Sequence, residues 1–94
     1  MILRIVKMHF KTEEVAGFLE FFETVKHKIE AMPGLVNLRL YQDQSNEQLV
    51  FTLSSWLDQN HLDNYRNSEL FAEVWPRTKA SFAERPEAWS LKLK

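Results

Sequence analysis

Residues Phe51 to Trp75 read FTLSSWLDQNHLDNYRNSELFAEVW, and the reading of this stretch decides the fold. Leu49 to Ser55 is rich in β-branched and aromatic residues and alternates like a strand, with Trp56 closing it. Asp58 is an N-cap residue and opens a short polar helix to about Arg66. Asn67 ends that helix and Ser68 caps the next, predicted from Glu69 to Ala83. Leu70, Phe71, Val74, Trp75, Thr78 and Phe82 form its apolar stripe. Pro76 lies inside it and predicts a kink between Ala72 and Pro76. In this arrangement Trp56, Tyr65 and Trp75 are placed to line one cavity.

Working outward, Ile2 to Phe10 reads as a strand that is apolar on both sides. Ile2, Val6, Met8 and Phe10 share one face; Leu3, Ile5, Lys7 and His9 share the other. Such a strand is expected at the centre of a sheet. Thr12 is the predicted cap of the first helix, with Glu13 and Glu14 favoured by the positive end of its dipole. Its stripe runs from Val15 through Phe18, Leu19, Phe22, Val25 and Ile29 to Met32, and Pro33-Gly34 stops it. Leu35 to Asp43 alternates as a second strand, and a polar turn at 42–48 joins it to the third as a hairpin. Ala88 to Lys94 alternates again after Pro86. The order β-α-β-β-α-β predicts an α+β, ferredoxin-like domain: a four-stranded antiparallel sheet with helices on one face.

Composition narrows the function. Ninety-four residues make one domain spanning 1–94, with 45% hydrophobic and 13% aromatic residues. A net charge of −1 argues against nucleic acid, which needs a basic face. Without cysteine there is no disulfide or thiolate metal site. His9, His27 and His61 show no ligand spacing, so no metal is expected. Two glycines leave no phosphate-binding glycine loop. No run approaches the ~20 apolar residues of a membrane span, and Arg4, Lys7 and His9 interrupt the first strand, so the expected location is the cytoplasm.

The helices are expected to cover the apolar rows Val36/Leu38/Leu40, Leu49/Phe51/Leu53 and Trp89/Leu91/Leu93. The opposite face would then carry Asn37, Arg39, Tyr41, Val50, Thr52, Ser54 and Trp56. That mixture is too apolar for water and too polar for a dry core, so a symmetric dimer packed sheet to sheet is expected.

Several segments together resemble the antibiotic biosynthesis monooxygenase-like superfamily of dimeric α+β barrels. They are Met32-Pro33-Gly34, the strand Leu38 to Asp43, Phe51 through Trp56, and Arg66-Asn67-Ser68-Glu69-Leu70-Phe71. The resemblance implies a small homodimer, often without flavin, haem or metal, that handles aromatic polyketides, haem, quinones or small signalling molecules. The haem-degrading branch fits poorly. Its iron-ligating histidine falls at Trp75, its helix tryptophan at Tyr65, and no asparagine occurs in the first strand.

A cofactor-independent monooxygenase acting on a small aromatic or quinone-like molecule is therefore the leading expectation. Oxygen must then take an electron from the substrate, which calls for a dry aromatic pocket and a group that removes or stabilises a phenolic proton. Trp56, Tyr65 and Trp75 are the candidate walls. Arg39 is the candidate anion ligand, Asn37 and Tyr41 are further pocket candidates, and His9 is the candidate base. The rival expectation is a non-catalytic binding or stress-response module on the same dimeric scaffold; an isomerase or lyase is a third. An open apolar cavity with a polar contact favours catalysis, whereas one filled by Trp56 and Trp75 favours a structural role.

Overall fold

The computed structural model describes all 94 residues. The chain runs β1 (Ile2–His9), a 3-10 turn (Thr12–Glu14), α1 (Val15–Glu30), β2 (Leu35–Gln42), β3 (Leu49–Trp56), α2 (Gln59–Arg66), α3 (Glu69–Lys79) and β4 (Glu87–Lys92). The four strands form one sheet in the order β2-β3-β1-β4, and every neighbouring pair is antiparallel. This is the ferredoxin-like α+β arrangement that the element order predicts. No helix is long and apolar enough to cross a membrane.

The local signals act where the sequence places them, with two exceptions. Asp58 caps α2 by accepting the His61 backbone N–H at 2.9 Å. That bond, with a second from the His61 ring, holds the Asp58 carboxyl below its usual range. Ser68 caps α3 by accepting the Phe71 N–H at 3.2 Å. Thr12, by contrast, caps nothing: it opens the 3-10 turn, and α1 begins at Val15 without a side-chain cap. Helix α3 continues through Pro76 but ends at Lys79, not Ala83. The chain beyond it is recruited by the end of β1. Phe10 and Phe82 form an isolated bridge, Lys11 N–H donates to Ser81 C=O at 3.0 Å, and Ala83 N–H donates to His9 C=O at 2.8 Å.

Register settles which residues face the helices. Met8 pairs with Val50, Val6 with Thr52, Arg4 with Ser54 and Ile2 with Trp56. Directly paired residues share a face, and Met8, Val50 and Trp56 are buried. The helix side of β3 is thus Val50/Thr52/Ser54/Trp56, and Leu38 and Leu40 join it through Ser54 and Thr52. The expectation that Leu49/Phe51/Leu53 and Trp89/Leu91 lie under the helices is overturned. They pair with His9, Lys7, Ile5 and Leu3 on the open face. Only Leu38 and Leu40 of the predicted rows point inward as expected; Val36 lies at a register shift between Leu35 and Asn37 and is exposed. The core is built from Met8, Leu38 and Val50 of the strands and Phe10 just after β1, with Val15, Phe18, Phe22, Val25 and Ile29 of α1 and Val74 of α3.

Gly34 turns the chain from α1 into β2 at φ +83°, a conformation that favours glycine. Its Cα also abuts the His61 ring, so an added methyl group would collide with Cβ and Cγ of that side chain. Its carbonyl accepts the Leu57 N–H at 2.9 Å, tying the helix exit to the end of β3. Gly34→Ala is expected to destabilise the chain by about 2 kcal/mol or more, of which backbone strain supplies roughly 1–2 kcal/mol. His61→Ala in the same chain should restore only the share of the steric cost that comes from the ring, because alanine keeps the Cβ that also collides. Urea denaturation of the two single variants and the double variant measures this; additive effects would show that the ring does not matter.

Candidate active site

A cavity of about 210 Å³ lies between the helix side of the sheet and the three helices. Its floor is the inward row of β1 and β3 (Arg4, Val6, Met8, Thr52, Ser54, Trp56) with Leu38 of β2. Phe18, Phe21, Phe22, Val25 and Ile29 of α1 form one wall. Leu62, Tyr65 and Arg66 of α2 with Phe71, Val74, Trp75 and Thr78 of α3 form the other. Pro86 and Ala88 border it on the β4 side. Apolar cavities of roughly 150 Å³ hold a benzene ring, so this one suits a flat molecule of one or two fused rings.

Aromatic contacts hold the wall together. The Trp56 and Tyr65 rings stack at 5.2 Å, Tyr65 meets Phe71 edge-on at 5.3 Å, and Phe71 stacks on Trp75 at 5.8 Å. The series continues from Trp75 to Phe82, Phe10 and Phe18, which joins the cavity wall to the main core. Trp56 is fully buried, and its indole N–H donates to Ser54 Oγ at 2.9 Å. Thr78, also buried, donates to the Val74 carbonyl at 2.9 Å, which removes a free hydroxyl from the wall.

The ionisable groups of the lining are Arg4, Tyr65 and Arg66. Burial pushes the Tyr65 phenol up to about 12, so it is a neutral O–H donor at physiological pH and not a base. Arg4 is lowered, first by burial and then by the charge of Arg66. A guanidinium nevertheless stays protonated near neutrality. The chain can therefore wall a flat ring, offer it a phenolic hydrogen bond and present positive charge to it.

Of the seven residues singled out by sequence, the fold brings Trp56, Tyr65 and Trp75 together in the cavity. Asn37, Arg39, Tyr41 and His9 are on the other side of the sheet. Asn37 pairs with Ser55, Arg39 with Leu53, Tyr41 with Phe51 and His9 with Leu49, all in the outward row. His9 Nδ1 lies 3.1 Å from Glu84, and Asn37 and Arg39 border a shallow depression beside Glu30. His9 and Arg39 thus share a sheet face with each other but not with the aromatic cavity. Arg4, Arg66, Phe71 and Phe21 are lining residues that the sequence reading passed over. For Arg4 the signal was present: strict alternation sets it with Ile2, Val6 and Met8.

Comparison with solved structures supports the same fold over the whole chain. A conserved protein from Methanosarcina mazei Go1 superposes with a TM-score of 0.92 at 23% identity, covering 100% of this chain and 94% of that one. A structure described as an antibiotic biosynthesis monooxygenase gives 0.93 at 19% identity, covering 100% and 99%. A protein from Mycobacterium tuberculosis gives 0.90 at 11% identity, covering 99% and 94%. No curated protein matches the chain. The family model for antibiotic biosynthesis monooxygenase matches residues 1–76, which include β1 to β3, α2 and most of α3. This chain belongs to the antibiotic biosynthesis monooxygenase family.

Proposed function

We propose that the protein is a monooxygenase-like enzyme that works without a bound cofactor on a small aromatic or quinone-like molecule held in the aromatic cavity. The observation that carries this reading is the open cavity itself. Trp56 and Trp75 border it without filling it, and Tyr65 adds a neutral hydroxyl donor to a largely apolar lining. A substrate with an acidic CH2 group flanked by a phenol ring fits the chemistry. Its enolate passes one electron to O2, the radical and superoxide combine to a hydroperoxide, and loss of water leaves a carbonyl: CH2 plus O2 gives C=O plus H2O. Water exclusion by the aromatic wall protects these intermediates. The role of the protein is to hold the ring and favour the anion; the Tyr65 hydroxyl donates to its oxygen.

The lining favours a second reading as well. Its ionisable groups are two arginines and a phenol, with no carboxylate or imidazole to remove a proton. A non-catalytic binding module needs no base, so the same cavity suits it. Oxygen uptake with anthrone and naphthohydroquinone, measured against the spontaneous rate, decides between them. The oxygenase predicts uptake well above background, reduced at least about tenfold by Trp75→Ala. Saturable quenching of tryptophan fluorescence without uptake assigns the binding module.

We also infer a homodimer. The open sheet face carries Leu3, Ile5, Leu49, Phe51 and Leu53 with Tyr41, Trp89 and Leu91, the last three 53%, 42% and 46% exposed. A sheet face this rich in large apolar residues, even with Lys7, His9, Asn37 and Arg39 among them, is a common site of subunit contact. The wild-type chain is expected to sediment as a dimer and Phe51→Glu as a monomer. A wild-type monomer at micromolar concentration would refute the interface.

Tyr65 gives a test of the cavity environment that is independent of activity. Its pKa rises from 10.0 in the free side chain to about 12 in the fold. The folded chain therefore holds this proton more tightly than the unfolded chain. Stability is unaffected below about pH 10 and falls as pH climbs towards about 12. Urea melts across this range should show a steeper alkaline loss for wild type than for Tyr65→Phe. Parallel curves would mean that the phenol is solvated.

A further inference from the structure

Two arginines border the aromatic cavity, and neither has an acidic partner. The ion pairs of the chain are Lys7–Glu87, His9–Glu84 and His61–Asp58. Arg4 projects from the inward row of β1, opposite Ser54 and Ser90. Its Nη1 donates to Ser90 Oγ at 3.0 Å, a neutral acceptor. Arg66 closes α2 and borders the same cavity. The helix dipole accounts for a cation at the end of α2. It does not account for a second cation near it, on the inward row of β1, which is otherwise apolar (Ile2, Val6, Met8).

The arrangement disfavours the charge of Arg4 in the empty protein, while Arg66 stays exposed at the cavity rim. Arg4 is half-buried against apolar side chains, and the two guanidinium groups are near enough for the charge of Arg66 to disfavour that of Arg4. No carboxylate of this chain offsets either term. An anionic oxygen group on a ligand would, and two planar forks match the two oxygens of a carboxylate. The remaining surface of the cavity is largely aromatic and aliphatic, suited to a ring and not to an inorganic anion.

We propose that the ligand of this cavity is a flat aromatic carboxylate, its ring against the Tyr65–Phe71–Trp75 wall and its carboxylate bound by Arg4 and Arg66. This rests on the reading of the cavity as an aromatic-ligand site and adds the charge and orientation of what it takes. It also assigns the anion-binding role to these two arginines and not to Arg39.

Calorimetric titration with 2-naphthoate and its neutral isostere 2-naphthamide tests the proposal at neutral pH. Wild type should bind the carboxylate about tenfold or more tightly than the amide, as expected for charge-assisted hydrogen bonds. Raising the salt concentration should narrow that margin. Arg4→Met, which keeps the length of the stem, and Arg66→Gln should each bring the two affinities close to parity. Binding of the amide should stay within about twofold, which also reports that the cavity remains folded. Equal binding of both compounds by wild type, or a preference that survives both substitutions, would overturn the proposal while leaving the aromatic cavity intact. If wild type binds neither compound, the aromatic-ligand reading falls with it. The salt series on wild type needs no variant: a margin that does not shrink counts against the arginines even if Arg4→Met fails to fold.

Discussion

The structure depends on the parity of β3, and Trp56 fixes that parity. Side chains alternate along a strand with a period of two, so burying one ring commits the whole row. With Trp56 fully buried against Tyr65, the residues Ser54, Thr52 and Val50 must also face the helices. Leu53, Phe51 and Leu49 must face away. The commitment passes across the ladder to Arg4, Val6 and Met8 on β1 and to Leu38 and Leu40 on β2. Slipping β3 by one residue would put the indole in water and three leucine or phenylalanine side chains into the place of a serine-threonine floor.

That floor explains why a cavity exists at all. Val50 belongs to the buried cluster with the α1 side chains and does not border the cavity. Towards the other end of the strands the inward residues shrink to Thr52 and Ser54, while α2 and α3 hold their aromatic rings against one another. Small side chains below and mutually stacked rings above leave a space that neither layer fills. The indole of Trp56 spends its one donor on Ser54, so it offers no free N–H to the cavity. The positive charge of Arg4 and Arg66 then meets the cavity with little competing polarity.

Much of this was legible from residue type and spacing. Asp58 and Ser68 are capping residues followed by helical stripes, and Pro33-Gly34 is a stop signal; each behaves as local chemistry requires. These marks set the number, type and order of elements, and hence the antiparallel sheet. The faces of the sheet were not legible, and the reason is physical. In β3 the outward row Leu49/Phe51/Leu53 is more apolar than the inward row Val50/Thr52/Ser54/Trp56. A rule that sends the more apolar row inward therefore inverts the strand, because the inward row borders a cavity and the outward row an open apolar face. The inversion puts Arg39, Asn37 and Tyr41 into the same set as Trp56, and the ladder separates them. The end of α3 was hidden for another reason. It is set by Phe82 crossing to Phe10, a contact between positions 72 residues apart that no local periodicity reports.

The same parity links the two surfaces of the sheet. Phe51 and Leu53 on the open face alternate with Val50, Thr52 and Ser54 beneath the cavity, and Leu3 and Ile5 alternate with Arg4. A backbone segment that sits against another surface is restrained from flexing, and the side chains on its opposite face inherit that restraint. Arg4 is thus held between Leu3 and Ile5, two residues of the open face, so a partner covering that face would stiffen the strand from which the cation projects. Since a guanidinium must be pre-positioned to bind an anion well, the large open face and the small charged cavity are best understood as two sides of one constraint.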